Sequence, residues 1–282
     1  MIQTSRQLKA LVRNRSGGDS AKAQVIIRNY VMERFLERIA LSKYNKHFIL
    51  KGGMLISALV GLDYRSTMDM DTTIRNLPLT VSDVTIILNE IIDLELEDNI
   101  SFSIKRIFEI MDEAEYPGVR AMLEAKLDTM RIPMKIDISA GDMVTPREIE
   151  FAYKLMFEDR TISVYAYNIE TVLAEKMETI ISRGTTNTRL RDFYDLYILQ
   201  QELSIEYSKL GMALEATGER RNTVPVLKRG IGVLTQIHTD KGMRHLWIRY
   251  QKKFDYAAEY SWDTVMESVI SLYEKAKFKI ME

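Results

Sequence analysis

The spacing of apolar residues changes along the chain, and the change divides it. A short helix is predicted ahead of the Gly17-Gly18 pair, then a longer one over residues 21–41, capped by Ser20, with Val25, Tyr30, Phe35 and Ile39 on its buried side. From Phe48 the period shortens: residues 48–50 read as a buried strand running into Gly52-Gly53, and residues 54–60 as a helix that Gly61 ends. A strand is predicted over 65–74, an acidic amphipathic helix over 81–96, and further strands over 100–110, 118–127, 134–139, 149–157 and 161–167. After Asn168 every strong period is helical, over 170–182, 190–203, 223–238, 241–258 and 262–277. The pattern predicts an α+β domain over residues 1–167 followed by a helical domain over 168–282.

Composition narrows the class. With 46% hydrophobic residues, 28% charged residues and five prolines, the chain of 282 residues is a folded globular protein, and the absence of cysteine removes disulfides, thiolate metal sites and cysteine nucleophiles. Three histidines argue against zinc. No apolar run approaches the ~18 residues of a membrane span and the first residues lack a secretion signal, so a cytoplasmic location away from membranes is expected. The net charge of −1 hides an asymmetry: residues 81–115 hold ten acidic side chains against Lys105 and Arg106, and residues 218–253 hold nine Lys or Arg against Glu219 and Asp240. Solvated helix faces are the plain meaning of both runs.

Candidate chemistry lies on two strands. Alternation through Arg65-Ser66-Thr67-Met68-Asp69-Met70-Asp71 puts Arg65, Thr67, Asp69 and Asp71 on one face, and paired carboxylates that close call for a cation such as Mg²⁺ or Mn²⁺. The polar face of an edge strand would read the same way. Met134-Lys135-Ile136-Asp137-Ile138-Ser139 alternates likewise and offers Lys135 and a third carboxylate, Asp137, to a metal site of the phosphoryl-transfer kind. Lys51-Gly52-Gly53 stands at a strand-to-helix junction, where glycine lets backbone amides approach a phosphate. Elsewhere such a pair is only a turn.

Helical projection of 170–183 places Lys176 and Arg183 on the side the helix buries, so an anionic ligand or a carboxylate is expected against them. In 190–203, Asp192 lies within the apolar stripe and Asp195 on its margin, where an exposed or capping carboxylate is expected. A Lys176–Asp192 ion pair inside a two-helix unit and a ligand-binding role are both open on this pattern.

Taken together, FILKGGMLISALVGLDYRSTMDMDTTIR, MKIDIS and ETVLAEKMETIISRGTTNTRLRDFYDLYIL resemble the AbiEii/AbiGii toxin family of nucleotidyltransferase-like proteins, which includes the MenT-type toxins, over residues 48–199. The resemblance implies a polymerase-β-like nucleotidyltransferase domain, with Lys176 and Asp192 reaching a shared cleft from the helical domain. It also implies the toxin of a type IV toxin–antitoxin or phage abortive-infection pair, with an antitoxin from the adjacent gene as partner. Carried over residue by residue, Gly52 and Gly53 match the nucleotide-cradling turn, Asp69 and Asp71 the metal-binding carboxylates, Lys135 and Asp137 the second motif, Lys176 the third and Asp192 the fourth. Met54 follows Gly53 where the wider superfamily has serine, and Ser57 is the hydroxyl one helical turn later.

The activity implied is Mg²⁺-dependent transfer of a nucleoside monophosphate from an NTP to an RNA hydroxyl, at the 3′ end of tRNA. Asp69, Asp71, Lys176 and Asp192 are the expected catalytic residues, Asp69, Asp71 and Asp137 the metal ligands. Lys51, Gly52, Gly53, Ser57, Arg65, Thr67, Lys135 and Arg183 are the expected nucleotide contacts, and Trp247, Tyr250 and Phe254 in the basic stretch are the expected seat of RNA. An NTP-binding interaction module without transfer activity, and transfer to a protein or small-molecule hydroxyl, are the competing readings.

Overall fold

The structure, a computed structural model, describes residues 1–111 and 117–276. The end of the acidic run, at 112–115, and residue 277 of the last predicted helix lie outside the described residues. The chain divides into two compact units, one of Met1–Leu62, Ser66–Asp142 and Ile149–Ala166, the other of Asp63–Arg65, Met143–Glu148 and Tyr167–Glu282.

In the first unit, α1 (Ser5–Ser16) starts on a Thr4/Gln7 capping box and ends at Gly17 in the left-handed conformation. Asp19, not the expected Ser20, caps α2 (Ser20–Leu41), its carboxylate accepting from the backbone N–H groups of Ala21 and Lys22. A carboxylate there also favours the helix dipole. The expected one-sided burial of α2 gives way after Tyr30, because residues 31–39 are all buried, Glu33, Arg34, Glu37 and Arg38 among them. Partners offset much of the cost for the two arginines: Arg38 reaches Asp98 with two bonds of 2.8 and 2.9 Å, and Arg34 lies 2.8 Å from Glu37.

The sheet is built from β1 (Phe48–Lys51), followed by α3 (Gly52–Val60), β2 (Met70–Ile74), followed by α4 (Val81–Ile92), and then β3 (Ser101–Met111), β4 (Pro117–Leu127), β5 (Met130–Ala140), β6 (Ile149–Lys154) and β7 (Thr161–Ala166). Its order is β3-β4-β5-β2-β1-β7-β6. β2 runs antiparallel to β1 and parallel to β5, and β1 parallel to β7, so the sheet is mixed, with helices packed on it. β2 begins at Met70 rather than Arg65 because the preceding backbone is satisfied by side chains: Asn29 Nδ2 donates to the Thr67 carbonyl at 2.8 Å and Thr67 Oγ1 to that of Asp69 at 3.1 Å. α4 stops at Ile92, short of the expected 96. Glu95, Glu97 and Asp98 would have put negative charge at its negative end.

The second unit is helical. α5 (Ile169–Arg183) is capped by Asn168, whose side chain accepts from Thr171 N at 2.8 Å. It is followed by α6 (Leu190–Glu202), α7 (Tyr207–Arg220), α8 (Val224–Leu227), α9 (Gly230–Thr239), α10 (Lys241–Lys253) and α11 (Trp262–Lys275). The apolar pattern is weak over α7, whose buried side is Leu210, Gly211, Ala213, Leu214, Thr217 and Gly218: helical spacing, but half of it glycine or alanine. The helix expected over 223–238 is two helices. Gly230 opens α9 against Tyr273, where an added Cβ would lie 2.5 Å from the ring, and the Tyr273 hydroxyl donates to the Leu227 carbonyl that ends α8.

Candidate active site

Strand register assembles the first cluster. Lys51 pairs with Asp71 across β1 and β2, Asp71 with Asp137 across β2 and β5, and Asp137 with Arg120 across β5 and β4. Cross-strand partners share a face, so four adjacent strands carry a row of charges, plus, minus, minus, plus. The cations at its ends behave differently. Arg120 grips Asp137 with Nε at 2.7 Å and Nη2 at 2.8 Å, whereas Lys51 bonds to Asp142, which also accepts from Ser139 Oγ at 2.7 Å.

Asp69 lies one residue before β2. Lys135 Nζ stands 2.9 Å from its Oδ2 and 3.5 Å from Asp137 Oδ2, bridging the two carboxylates. Asp71 is held differently: burial, with the like charges of Asp137 and Asp69, pushes its pKa up against the pull of Lys51 and the Gly53 N–H, which donates to Oδ2 at 3.4 Å. Gly52 makes this approach possible. Its φ is +65°, and an added Cβ would lie 2.1 Å from Asp71 Oδ2. The Gly-Gly turn expected to cradle phosphate is thus also the wall against which Asp71 sits.

Two expected contacts are turned to the backbone. The Ser57 hydroxyl donates to the Gly53 carbonyl at 2.9 Å within α3, and Thr67 Oγ1 faces the Asp69 carbonyl. For a divalent metal, Asp69 and Asp71 offer hard oxygen donors, and a dication would relieve both the burial of Asp71's charge and the repulsion from its neighbours. Both oxygens of Asp137 are held by Arg120, and among the described residues no group of three or more carboxylates or imidazoles is assembled to hold a metal. The pair fits a metal; the expected trio is not present as such.

The second unit holds the other cluster. Lys176 Nζ lies 2.6 Å from Asp192 Oδ1 and 2.7 Å from Asp195 Oδ2. Burial disfavours its charge, but the two carboxylates outweigh burial and raise its pKa. Asp195 corrects the expectation of an exposed or capping group: it is fully buried, accepts from Arg65 Nε at 2.6 Å and Nη2 at 3.3 Å, and is held below the usual carboxylate range by Arg65 and Lys176. Arg65, expected toward an anionic ligand, is 2% exposed and directed at this carboxylate. Arg183 closes α5, half-buried, with Thr186 Oγ1 donating to its carbonyl at 2.7 Å.

The family described as Nucleotidyl transferase AbiEii toxin, Type IV TA system, matches residues 34–268, most of the chain and both clusters. The chain belongs to the AbiEii family. As an AbiEii protein it is a toxin-type nucleotidyltransferase, which implies an NTP as substrate and an antitoxin as partner. Curated proteins give no match. Among solved structures, a candidate nucleotidyltransferase from H. pylori is 14% identical with a TM-score of 0.48, covering 92% of this chain and 98% of its own. JHP933 from Helicobacter pylori is 13% identical with a TM-score of 0.48, covering 91% and 94%. An antigenic nucleotidyltransferase-like protein from Paracoccidioides brasiliensis is 14% identical with a TM-score of 0.38, covering 82% and 94%.

Elsewhere in this AbiEii chain the basic stretch is less open than its sequence. Trp247 is buried, its Nε1 donating to the Tyr260 carbonyl at 2.9 Å, so it presents no ring to a ligand. Tyr250 and Phe254 are half-buried against each other, ring centroids 4.7 Å apart. Arg244 is paired with Asp263 at 2.7 and 2.9 Å, while Lys228, Arg229, Lys241, Arg249, Lys252 and Lys253 are exposed. No described helix is long and apolar enough to cross a membrane. Asp142 and Arg120 are the site residues that the sequence pattern did not single out, and Asp195 is one it placed on the exposed margin. For Arg120 a signal was present: buried Val119 and Ala121 flank it, so alternation alone puts it on the polar face.

Proposed function

We propose that this AbiEii protein acts in the cytoplasm by transferring a nucleoside monophosphate from an NTP to an RNA hydroxyl, at the 3′ end of tRNA, and so halts translation until its antitoxin intervenes. The observation that carries the reading is the juxtaposition of Asp69, Asp71 and Lys135 beside the Gly52-Gly53 turn. In the reaction the acceptor oxygen forms a bond to the α-phosphorus while the bond to the pyrophosphate oxygen breaks. Asp69 and Asp71 are the residues that would hold Mg²⁺ or Mn²⁺, which when bound supplies charge stabilisation at the transferring phosphoryl group. Lys135, fixed by Asp69, and Lys176, fixed by Asp192 and Asp195, are assigned to phosphate oxygens. Asp192 orients Lys176 rather than acting on substrate alone. RNA as acceptor is favoured by the exposed cations of 228–253, which suit a phosphate backbone.

Incubating the protein with total RNA and each α-labelled NTP in turn tests this. One RNA class labelled from one NTP, and no label with Asp71→Asn, is expected. Label found only on protein, or no transfer from any NTP, would refute the acceptor.

A further inference from the structure

The row Lys51, Asp71, Asp137, Arg120 places two like charges directly opposite one another, an unfavourable cross-strand pair unless cations answer it. The answer is lopsided. Asp137 receives a two-bond guanidinium grip from Arg120 and a share of Lys135, whereas Lys51, opposite Asp71, is bonded to Asp142. The gripping pair also lies at the edge of solvent, with side-chain exposures of 33% for Arg120 and 21% for Asp137. Exchange of partners there carries little of the desolvation cost that locks a fully buried pair. A guanidinium fork matches the oxygens of a phosphate as well as those of a carboxylate.

We propose that Arg120 is a built-in counter-cation of the carboxylate cluster: without nucleotide it neutralises Asp137, and when an NTP binds it passes to the phosphates and leaves Asp137's charge to strengthen divalent-cation binding at Asp69 and Asp71. The proposal rests on the reading of Asp69 and Asp71 as the metal-holding pair. Its consequence is ordered loading, in which metal and nucleotide raise each other's affinity through one arginine, as linkage requires.

The test is Mn²⁺ binding to the full chain, read by electron paramagnetic resonance, without nucleotide. Arg120→Gln, which leaves Asp137 unneutralised by its fork, is expected to bind Mn²⁺ about tenfold more tightly than the native chain. The double variant Arg120→Gln/Asp137→Asn is expected to return to the native affinity, and Arg120→Lys, which keeps the charge without the fork, to fall between. Arg120→Gln is also expected to weaken binding of a non-hydrolysable α,β-methylene NTP by about tenfold. Equal Mn²⁺ affinity in the native chain and Arg120→Gln overturns the proposal alone. Mn²⁺ binding that is unchanged by Asp71→Asn overturns the metal reading and the proposal with it. Should Arg120→Gln fail to fold, the comparison of Arg120→Lys with the native chain decides: equal affinities reject the proposal, tighter binding supports it.

Discussion

Arg65 and Asp195, 130 residues apart in sequence, form a buried ion pair in which Nε donates to Oδ1 at 2.6 Å, and the other oxygen of Asp195 lies 2.7 Å from Lys176. One carboxylate therefore answers two cations, and its removal takes this partner from Arg65 and leaves Lys176 to Asp192. Asp195→Ala is expected to cost about 3–5 kcal/mol, the usual penalty for breaking a buried ion pair. Urea denaturation measures it, and a loss under about 1 kcal/mol would show that the pair is not a structural link.

Lys176 makes a different demand. Its side chain is 15% exposed, and without it Asp195 keeps Arg65 while Asp192 retains some contact with water. Lys176→Ala is expected to cost less than Asp195→Ala, about 1–2 kcal/mol, yet to remove the rise in melting temperature that NTP produces in the native chain. Retained stabilisation by NTP would separate Lys176 from the nucleotide.

Asp71 is a carboxylate whose neighbours oppose its charge. Asp71→Asn removes a buried charge and the repulsion from Asp137 and Asp69, so melting temperature is expected to rise while transfer falls by about a hundredfold or more. Full activity in this variant would remove Asp71 from the chemistry.

Gly52 tests the same wall from the other side. Gly52→Ala adds a left-handed residue, worth about 1–2 kcal/mol, and drives its methyl group into Asp71. In an Asp71→Ala background the clash with the carboxylate is gone, leaving the conformational part and the approach to Cβ at 2.7 Å, so the cost should be smaller. Equal costs in the two backgrounds, measured by thermal unfolding, would mean that Asp71 moves aside freely.

Glu33 supplies a pH signature away from the site. Burial outweighs the Met156 N–H and pushes its pKa up to about 7 from an ordinary 4.5. The folded chain thus holds a proton the unfolded chain has lost, and stability falls as pH rises from about 4.5 to about 7, by about 3 kcal/mol at most. Glu33→Gln is expected to flatten that part of the profile and to be the more stable protein at pH ~8. Denaturation midpoints at acidic and neutral pH compare the two, and parallel profiles would exclude Glu33 as the cause.

What the sequence by itself determined is whatever depends on near neighbours. Alternation through Met68-Asp69-Met70-Asp71 and through Lys135-Ile136-Asp137 separates buried from polar faces, a strand followed by Gly52-Gly53 makes a turn into a helix, and the order of strands and helices sets the fold class. Tertiary structure decided how far the charges are spoken for. Arg65 looked available until Asp195 reached it across 130 residues, and α2 looked one-sided until Asp98 came to Arg38 from 60 residues away. The row from Lys51 to Arg120 exists only once four strands are in register, and it decides that Asp137 meets an arginine while Asp71 meets a backbone amide. Apolar periodicity records which way a side chain points relative to its neighbours in the chain. A charge's environment is set by whatever lies within a few ångströms in space, and for these residues almost all of that comes from elsewhere in the sequence.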